Sequence, residues 1–463
     1  LPRIELLGIE QSGLNFRQVL LACMAISMFL ALPVVQASAD VESRIASAIE
    51  WIRAQKVSSY SISGFIAETD RPLNSTLYLE DQALVALALS DYHSTHNDAR
   101  YDDLLKVAAN FIIQARTPSG RFYEYYDLNK RQWVHEGGLY SWDAYAIAAL
   151  AASAYKIAFK SPEERSYWFA VEAQMKTSVI NLLSNQRSDG AWMFRNYTTG
   201  RHEALTSENA VMLMGLSYIG LFEYQWGSSQ QASYYGKLSE KTANWLFSTQ
   251  VANSTFTNYG GFPHSDLNST QISEENGIIL LGVNSYYSII GLLDPRASPT
   301  IWDARRVMID WVDGFVRKMR DSYGGPYFAR NSNGILEYPK TTSAASWMLQ
   351  ALADIWVNLG GNEYYGDSQK PYEWIVGGNE LRVDLQSAAS HSGPALGFYS
   401  AILPDVVHRN ARTGVTASAV YAFVRAGFIQ IPEFPQSAQA FVLFLGFGGA
   451  LLVIRKKKRK LGM

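Results

Sequence analysis

Two pieces of one stretch decide the fold: Gln186-Arg-Ser-Asp-Gly190-Ala-Trp192 and, after a polar loop, Thr206-Ser-Glu208-Asn-Ala-Val-Met-Leu-Met-Gly-Leu216. The first reads as a helix ending at Gln186 and a Gly-aromatic turn at Gly190–Trp192. Glycine supplies the backbone conformation such a turn needs. The second reads as a helix opened by an acid, Glu208, and apolar on every side from Ala210 to Leu216. A helix without a polar face is a buried one. The unit is therefore an outer helix, a turn and an inner helix.

Working outward, the same unit recurs. Upstream, Gly64-Phe65 precedes Ala83–Leu89, and Gly120-Arg-Phe122 precedes Ala144–Leu150. Downstream, Gly260-Gly-Phe262 precedes Ile278–Val283, and Gly324-Gly-Pro-Tyr327 precedes Trp347-Met-Leu349. Gly397-Phe398 before Val415–Tyr421 is the weakest copy. The inner helices are expected to start at Asp81, Asp143, Glu208, Glu275, about Ser343 and about Ala417, in steps of 62, 65, 67, 68 and about 74 residues. Such a period marks a repeat architecture. The preceding helices, for example Arg44–Gln55 and Tyr101–Gln114, are amphipathic. Six outer and six inner helices predict an all-α chain closed as an (α/α)6 toroid of six hairpins over residues 40–430. Closure follows because an open array would leave apolar end faces uncapped.

The ends read differently. An apolar run over residues 18–35 follows Arg17 and precedes Ala37-Ser-Ala39, the pattern of a secretory signal peptide over 1–39. Ala440–Ile454 is nearly all apolar and, with its flanks, reaches roughly 17–19 residues, the short limit of a membrane span. Arg455–Lys460 holds six basic residues, which places that side in the cytoplasm and the body outside. Four sequons, at Asn74, Asn196, Asn253 and Asn268, agree with export. The single cysteine, Cys23, lies in the leader, so the body carries neither disulfide nor Cys-ligated zinc. Residues 40–435 carry a net charge of −8, which argues against nucleic acid.

Two resemblances follow from these residues. Helix-Gln, Gly-aromatic turn and buried helix, repeated six times, resemble the α/α-toroid superfamily across residues 41–428. Its branches include six-hairpin glycosidases, uronate-acting enzymes and the terpenoid cyclase and prenyltransferase group. The pieces Gln114 to Phe122 and Gln186 to Trp192 are similar to repeats of the squalene-cyclase branch. Ile431-Pro-Glu-Phe-Pro435, the apolar span and the basic tail together resemble an archaeal PEF-type sorting signal over 431–463. That resemblance implies surface display and processing by an archaeosortase-like enzyme.

In a toroid the inner helices all start at one mouth. Asp81, Asp143, Glu208 and Glu275 should line it. Paired carboxyls there suit glycosyl transfer: one protonates the leaving oxygen, the other activates water or attacks. Asp81 and Asp143, on adjacent hairpins, are the preferred pair, because the resemblance to six-hairpin uronyl hydrolases implies two aspartates on successive hairpins. Acids in a first helical turn also serve as plain caps. Tyr78, Tyr140, Trp142, Trp192, Tyr259, Tyr327 and Trp347 are candidates to stack on sugar rings, and the same side chains also serve as loop packing. His135, His202 and His264 lie in the same loops and titrate near neutrality. Arg121, Arg201 and Arg330 can hold a uronate carboxylate. His93-x-x-His96 lacks a third ligand, no Asp-x-Asp-Asp run is present, and no metal or cofactor is implied.

Three functions stay open. The leading one is a surface-anchored, extracellular carbohydrate-active enzyme, a glycoside hydrolase or a uronate-acting lyase or epimerase. The second is a non-catalytic glycan- or cell-wall-binding surface protein. The third is a toroid enzyme acting on a terpenoid or peptide.

Overall fold

The computed structural model describes residues 41–428, apart from residue 60 and the segments 68–75, 135–138, 197–198, 294–297, 380, 383, 387, 391–392 and 404–405. The expected leader, the Ile431–Pro435 motif, the apolar span and basic tail, Asn74 and His135 lie outside the described residues. Among the described residues, no helix is long and apolar enough to cross a membrane.

Helices alternate between two rings. The outer ones are α1 (41–54), α3 (Asp102–Gln114), α5 (Arg165–Leu182), α7 (Ser229–Thr249), α9 (Ser298–Trp311) and α11 (Asn362–Glu373). The inner ones are α2 (Leu79–His96), α4 (Ser141–Lys160), α6 (Thr206–Trp226), α8 (Ser273–Leu293), α10 (Thr342–Leu359) and α12 (Thr413–Phe428). Each inner helix packs on the next, and α12 packs back on α2, so the ring closes. Residues such as Ala144–Ala152 and Ala210–Leu216 are buried on all sides, as their lack of a polar face requires. Each fully buried Leu, Ile or Phe contributes about 1.5–3 kcal/mol. Small residues set the spacing of the ring. A Cβ on Gly282 of α8 would lie 2.3 Å from the Ala210 carbonyl oxygen of α6.

The Gly-aromatic turns are the joints between outer and inner helices. Gly120, Gly190, Gly260 and Gly324 have φ of +83°, +104°, +83° and +96°. At Gly190 a Cβ would also sit 2.1 Å from the Lys241 carbonyl of the next outer helix. Only glycine allows both the positive φ and this approach.

The described residues are mostly helical, as an (α/α)6 toroid requires, and they add one feature. Short strands girdle the mouth. Thr76–Tyr78 pairs with Tyr125–Asp127, which pairs with Gln132–Val134. Gln271–Ile272, Ala329–Arg330 and Leu336–Glu337 form a second sheet. Lys340–Thr341, Tyr399–Leu403 and Val406–Ala411 form a third. The loops that carry them are long enough to pair with their neighbours, a long-range event that helical periodicity does not report.

The opposite end of the ring is plugged. Lys156 of α4 meets Asp91 of α2 at 2.7 Å, and Arg425 of α12 meets Asp354 of α10 at 2.6 Å. Lys156 also lies over the rings of Tyr218 and Tyr421. These side chains fill the axis at that end, so among the described residues the funnel lies at the end where the inner helices start. His93 lies in the last turn of α2, buried between Asp102 (2.8 Å) and Ser161 (3.1 Å).

Candidate active site

A buried clamp organises five of the six mouth loops, and it sits at the fourth residue of the inner helices, or the third in α4. The backbone N–H of Phe65 donates to Gln82 Oε1 (2.9 Å), and Gln82 Nε2 donates back to the Phe65 carbonyl (2.8 Å). Asn209 holds Trp192 in the same two-way manner at 2.7 and 3.0 Å, and Asn276 holds Phe262 at 2.8 and 3.0 Å. In the sixth hairpin the Thr416 hydroxyl accepts from Phe398 N–H at 3.2 Å. In the fifth, Pro326 occupies the turn and has no N–H to satisfy.

Asp143 is the clamp of the second hairpin. Its carboxyl accepts the N–H groups of Phe122 and Tyr140, each at 2.8 Å, and it is fully buried. A carboxylate cannot donate to the Phe122 carbonyl as the amides do. The Trp142 indole N–H does so instead, at 3.0 Å. Asp143 and Trp142 are therefore framework, and Asp143 does not face Asp81 across a cleft. Burial pushes the Asp143 carboxyl up to about 7, against the pull of its two N–H donors.

The funnel holds a different set. Glu80 is open to solvent yet ringed by Asp81, Glu274, Glu208 and Glu124. Desolvation by the surrounding walls, then these like charges, push it up to about 8. Glu208 accepts from the Ser207 hydroxyl at 2.6 Å, and Glu274 accepts from the Ser343 hydroxyl. Burial raises both. Tyr145, one turn into α4, forms the floor; burial and then Glu80, Glu208, Glu274 and Glu275 hold its hydroxyl protonated.

Glu275 bonds His264 Nδ1 at 2.8 Å. That bond chiefly raises the imidazole, while burial pushes Glu275 up to about 7. His264 is carried in by its own loop, whose backbone carbonyl accepts the Thr206 N–H at the start of α6 (3.0 Å).

The remaining candidates divide. Asp81 stays at the funnel's edge, its Oδ1 2.3 Å from where a Cβ on Gly414 of α12 would lie. Tyr78 is on the rim, packed on Tyr125 at 5.4 Å and close to Arg412. Tyr140 stacks on Trp142 at 4.2 Å, and Tyr327 lies edge-on to Tyr338 and under Lys340. Trp192 is fully buried, with its indole N–H on Thr242. Trp347 is buried between inner helices, edge-on to Tyr421. Neither can reach a sugar. The Tyr259 hydroxyl donates to Asp310 of the outer helix α9 at 2.6 Å, away from the axis. His202 is exposed on a strand paired with Arg195. Arg330 is buried and spent on Gln271 and the Gly314 and Tyr259 carbonyls; Arg201 is exposed.

Glu80, Glu274 and Tyr145 were missed from the sequence. Glu80-Asp81 and Glu274-Glu275 are consecutive acids, and the repeat register drew attention to the second of each pair. The usable signal was the clamp: aligning Asp143 with Gln82, Asn209 and Asn276 removes it from the acid set.

The sequence matches no known family model, and no curated protein is similar to it in sequence. Its structure is similar to solved ones. A cellobiose 2-epimerase from Spirochaeta thermophila superposes with a TM-score of 0.62 at 11% identity, covering 86% of this chain and 98% of that one. A D-mannose isomerase gives 0.59 at 13%, covering 84% and 98%. A GH76 α-mannanase from Bacteroides thetaiotaomicron gives 0.57 at 10%, covering 84% and 95%. The fold is the six-hairpin (α/α)6 toroid. At these identities the likeness speaks for the fold alone, and the side chains of the funnel must speak for the chemistry.

Proposed function

We propose that the funnel is the active site of a carbohydrate-active enzyme that cleaves a glycosidic bond. The observation that carries this is Glu80: a solvent-reached carboxyl that keeps its proton at neutral pH beside other carboxyls. It has the state required to protonate a leaving glycosidic oxygen. Glu208 or Glu274 then activates water or attacks the anomeric carbon. The abundance of acids around Glu80 favours a neutral saccharide over a uronate, whose carboxylate would meet Glu124, Glu208, Glu274 and Glu275. The solved structures of similar fold, which include sugar epimerases, an isomerase and glycoside hydrolases, support a saccharide in such a funnel.

A second reading, sugar epimerisation or isomerisation, rests on His264. With Nδ1 engaged by Glu275, its Nε2 is oriented to exchange a proton with a sugar carbon or oxygen. One experiment separates the readings. Disaccharides and monosaccharides are incubated in D2O, with reducing-end release and deuterium at C2 both followed. Cleavage without deuteration, reduced about 10²–10⁴-fold by Glu80→Gln, supports hydrolysis. Deuteration lost in His264→Asn and kept in Glu80→Gln replaces it with the second reading. Binding of a glycan with no turnover, unchanged in Glu80→Gln, would leave a lectin-like surface protein.

Export and anchoring complete the proposal. The apolar run at 18–35, Ala37-Ser-Ala39, the Pro-Glu-Phe motif and the apolar-then-basic C-terminus support a body displayed outside the cell and tied to its membrane. Exposed sequons at Asn253 and Asn268 are open to glycosylation. Protease treatment of intact cells, with loss of the body and survival of the tail, tests this.

A further inference from the structure

Among the described residues, the fifth mouth loop exposes more large apolar side chains than any other: Tyr323, Ile335, Leu336 and Tyr338. Two of its tyrosines form a fixed surface. Tyr327 and Tyr338 pack edge to face, with ring centres 5.3 Å apart. Lys340 lies 5.0 Å from the first ring and 5.3 Å from the second. It is buried and paired with Asp321, which pins both rings from one side. The loop is also tied to the acids. The Tyr327 carbonyl accepts from the Ser273 hydroxyl at 2.5 Å, and the Phe328 carbonyl accepts the Ser273 N–H at 2.9 Å. Ser273 is the residue before Glu274, and Ser343, five residues after Tyr338, donates to Glu274. This tyrosine pair is therefore anchored beside Glu274.

A second tyrosine pair stands beside Glu80. Tyr78 is two residues before it, at the start of α2, and packs on Tyr125 at 5.4 Å. Tyr78 is exposed and Tyr125 half-buried. The pairing of strand Thr76–Tyr78 with Tyr125–Asp127 fixes both backbones. The two pairs lie on opposite sides of the mouth. α2 and α8 are the first and fourth of six inner helices in a closed ring, and Glu80 and Glu274 are each the second residue of their helix. Neighbouring helices pack about 8–10 Å apart, so opposite ones in a ring of six are about 16–20 Å apart. The acids are close enough across this space for the charge of Glu274 to act on Glu80, while the tyrosines stay on the rim.

One sugar ring cannot touch both pairs. A chain of sugars can, lying across Glu274 and Glu80 with a tyrosine pair on each side. Sugar C–H faces pack on tyrosine rings, and the hydroxyl at the ring edge bonds sugar hydroxyls. The other mouth aromatics are spent: Tyr140 is engaged by Trp142 and Arg195, and Trp192 and Trp347 are buried.

We propose that the substrate is a chain of neutral sugars that spans the mouth, held by Tyr78 and Tyr125 on one side and by Tyr327 and Tyr338 on the other, and cut at an internal bond between them. The proposal rests on the glycosidase reading above. The bond broken is the anomeric C–O bond. Its oxygen takes the Glu80 proton, and water supplies the hydroxyl for the anomeric carbon and the proton that goes to the second carboxylate.

The full chain is assayed on cello-, manno- and malto-oligosaccharides from disaccharide to hexasaccharide, labelled at the reducing end. Kinetics give kcat/KM for each length, and the labelled products give the position of the cut. The ratio of hexasaccharide to disaccharide is taken within each variant, so a fraction lost to misfolding cancels. The expected result is a kcat/KM that rises with length and an internal cut. Tyr78→Ala and Tyr338→Ala should each shrink the ratio about 3–10-fold, the worth of one aromatic contact, mostly through KM. Tyr78→Phe and Tyr338→Phe keep the ring and should keep most of the ratio. Leu267→Ser, exposed in the fourth mouth loop and outside both pairs, should leave it unchanged. Cleavage that does not quicken with length, or a ratio that the alanine variants do not move, overturns the proposal and leaves the glycosidase reading standing. A ratio that falls equally in Leu267→Ser assigns the effect to the apolar rim in general, and also overturns it. No cleavage of any of these sugars overturns the glycosidase reading, and the proposal with it.

Discussion

Replacing Glu80 by Gln should make the protein less active and, above neutral pH, more stable. The two carboxyl oxygens give way to an amide of the same shape, so the packing of the funnel wall is kept while its titration is lost. The sign follows from linkage. In the unfolded chain the group has its ordinary value of 4.5, and in the folded one it is raised to about 8. The folded state therefore disfavours the charged form. Nothing is lost below pH 4.5, the wild type loses stability as pH rises through this window, and the loss is complete above about 8. If walls shielded the group entirely, the rise would be worth about 5 kcal/mol at 1.36 kcal/mol per tenfold change. Glu80 faces solvent, so screening makes this an upper bound on the gain; the sign and the pH window are unchanged. The assay is calorimetry of wild type and Glu80→Gln at several pH values from 4 to 9. The difference should be near zero at pH 4 and should grow to a plateau in favour of the variant by pH 9. A difference that is flat with pH, or that favours the wild type at pH 9, would refute the crowded-carboxyl reading of the funnel.

Two further outcomes test the framework. Asp143→Ala leaves the buried N–H of Phe122 and the half-buried N–H of Tyr140 without an acceptor. At about 1–3 kcal/mol for each orphaned group, it should lower denaturant stability by about 2–5 kcal/mol, while turnover per folded molecule stays within about twofold; a large loss of turnover in a stable Asp143→Asn would return the residue to the reaction. Gly190→Ala puts a Cβ 2.1 Å from the Lys241 carbonyl at φ +104°, so chemical denaturation should show a loss of at least about 2 kcal/mol, and an unchanged midpoint would mean that the turn is free to move.

The chain's repeat is legible in its residues. Apolar runs with no polar face have to be buried, glycines before aromatics have to turn, and six such units have to close or expose their ends. Hence the hairpin order, the inner helices and the shared mouth could be derived from Gln186–Leu216 and its relatives. In the sixth hairpin Gly397 ends a strand instead of forming a turn, although Phe398 is still held by Thr416.

What the residues alone did not determine was the roll of each inner helix about its axis. Consecutive side chains on a helix diverge by about 100°. Of Glu80 and Asp81, one looks down the funnel and one lies against α12, and the sequence treats them alike. That roll is set by contacts between helices distant in the chain, such as Gly282 seated on the Ala210 carbonyl. The same holds for Asp143. As a type and a position it matched an acid at a mouth. Its partners, the backbone of Phe122 and Tyr140, became visible only when the turn folded back over the start of α4. Periodicity counts which faces are apolar, so it yields a toroid; only the packed ring decides which of its acids share one volume of solvent.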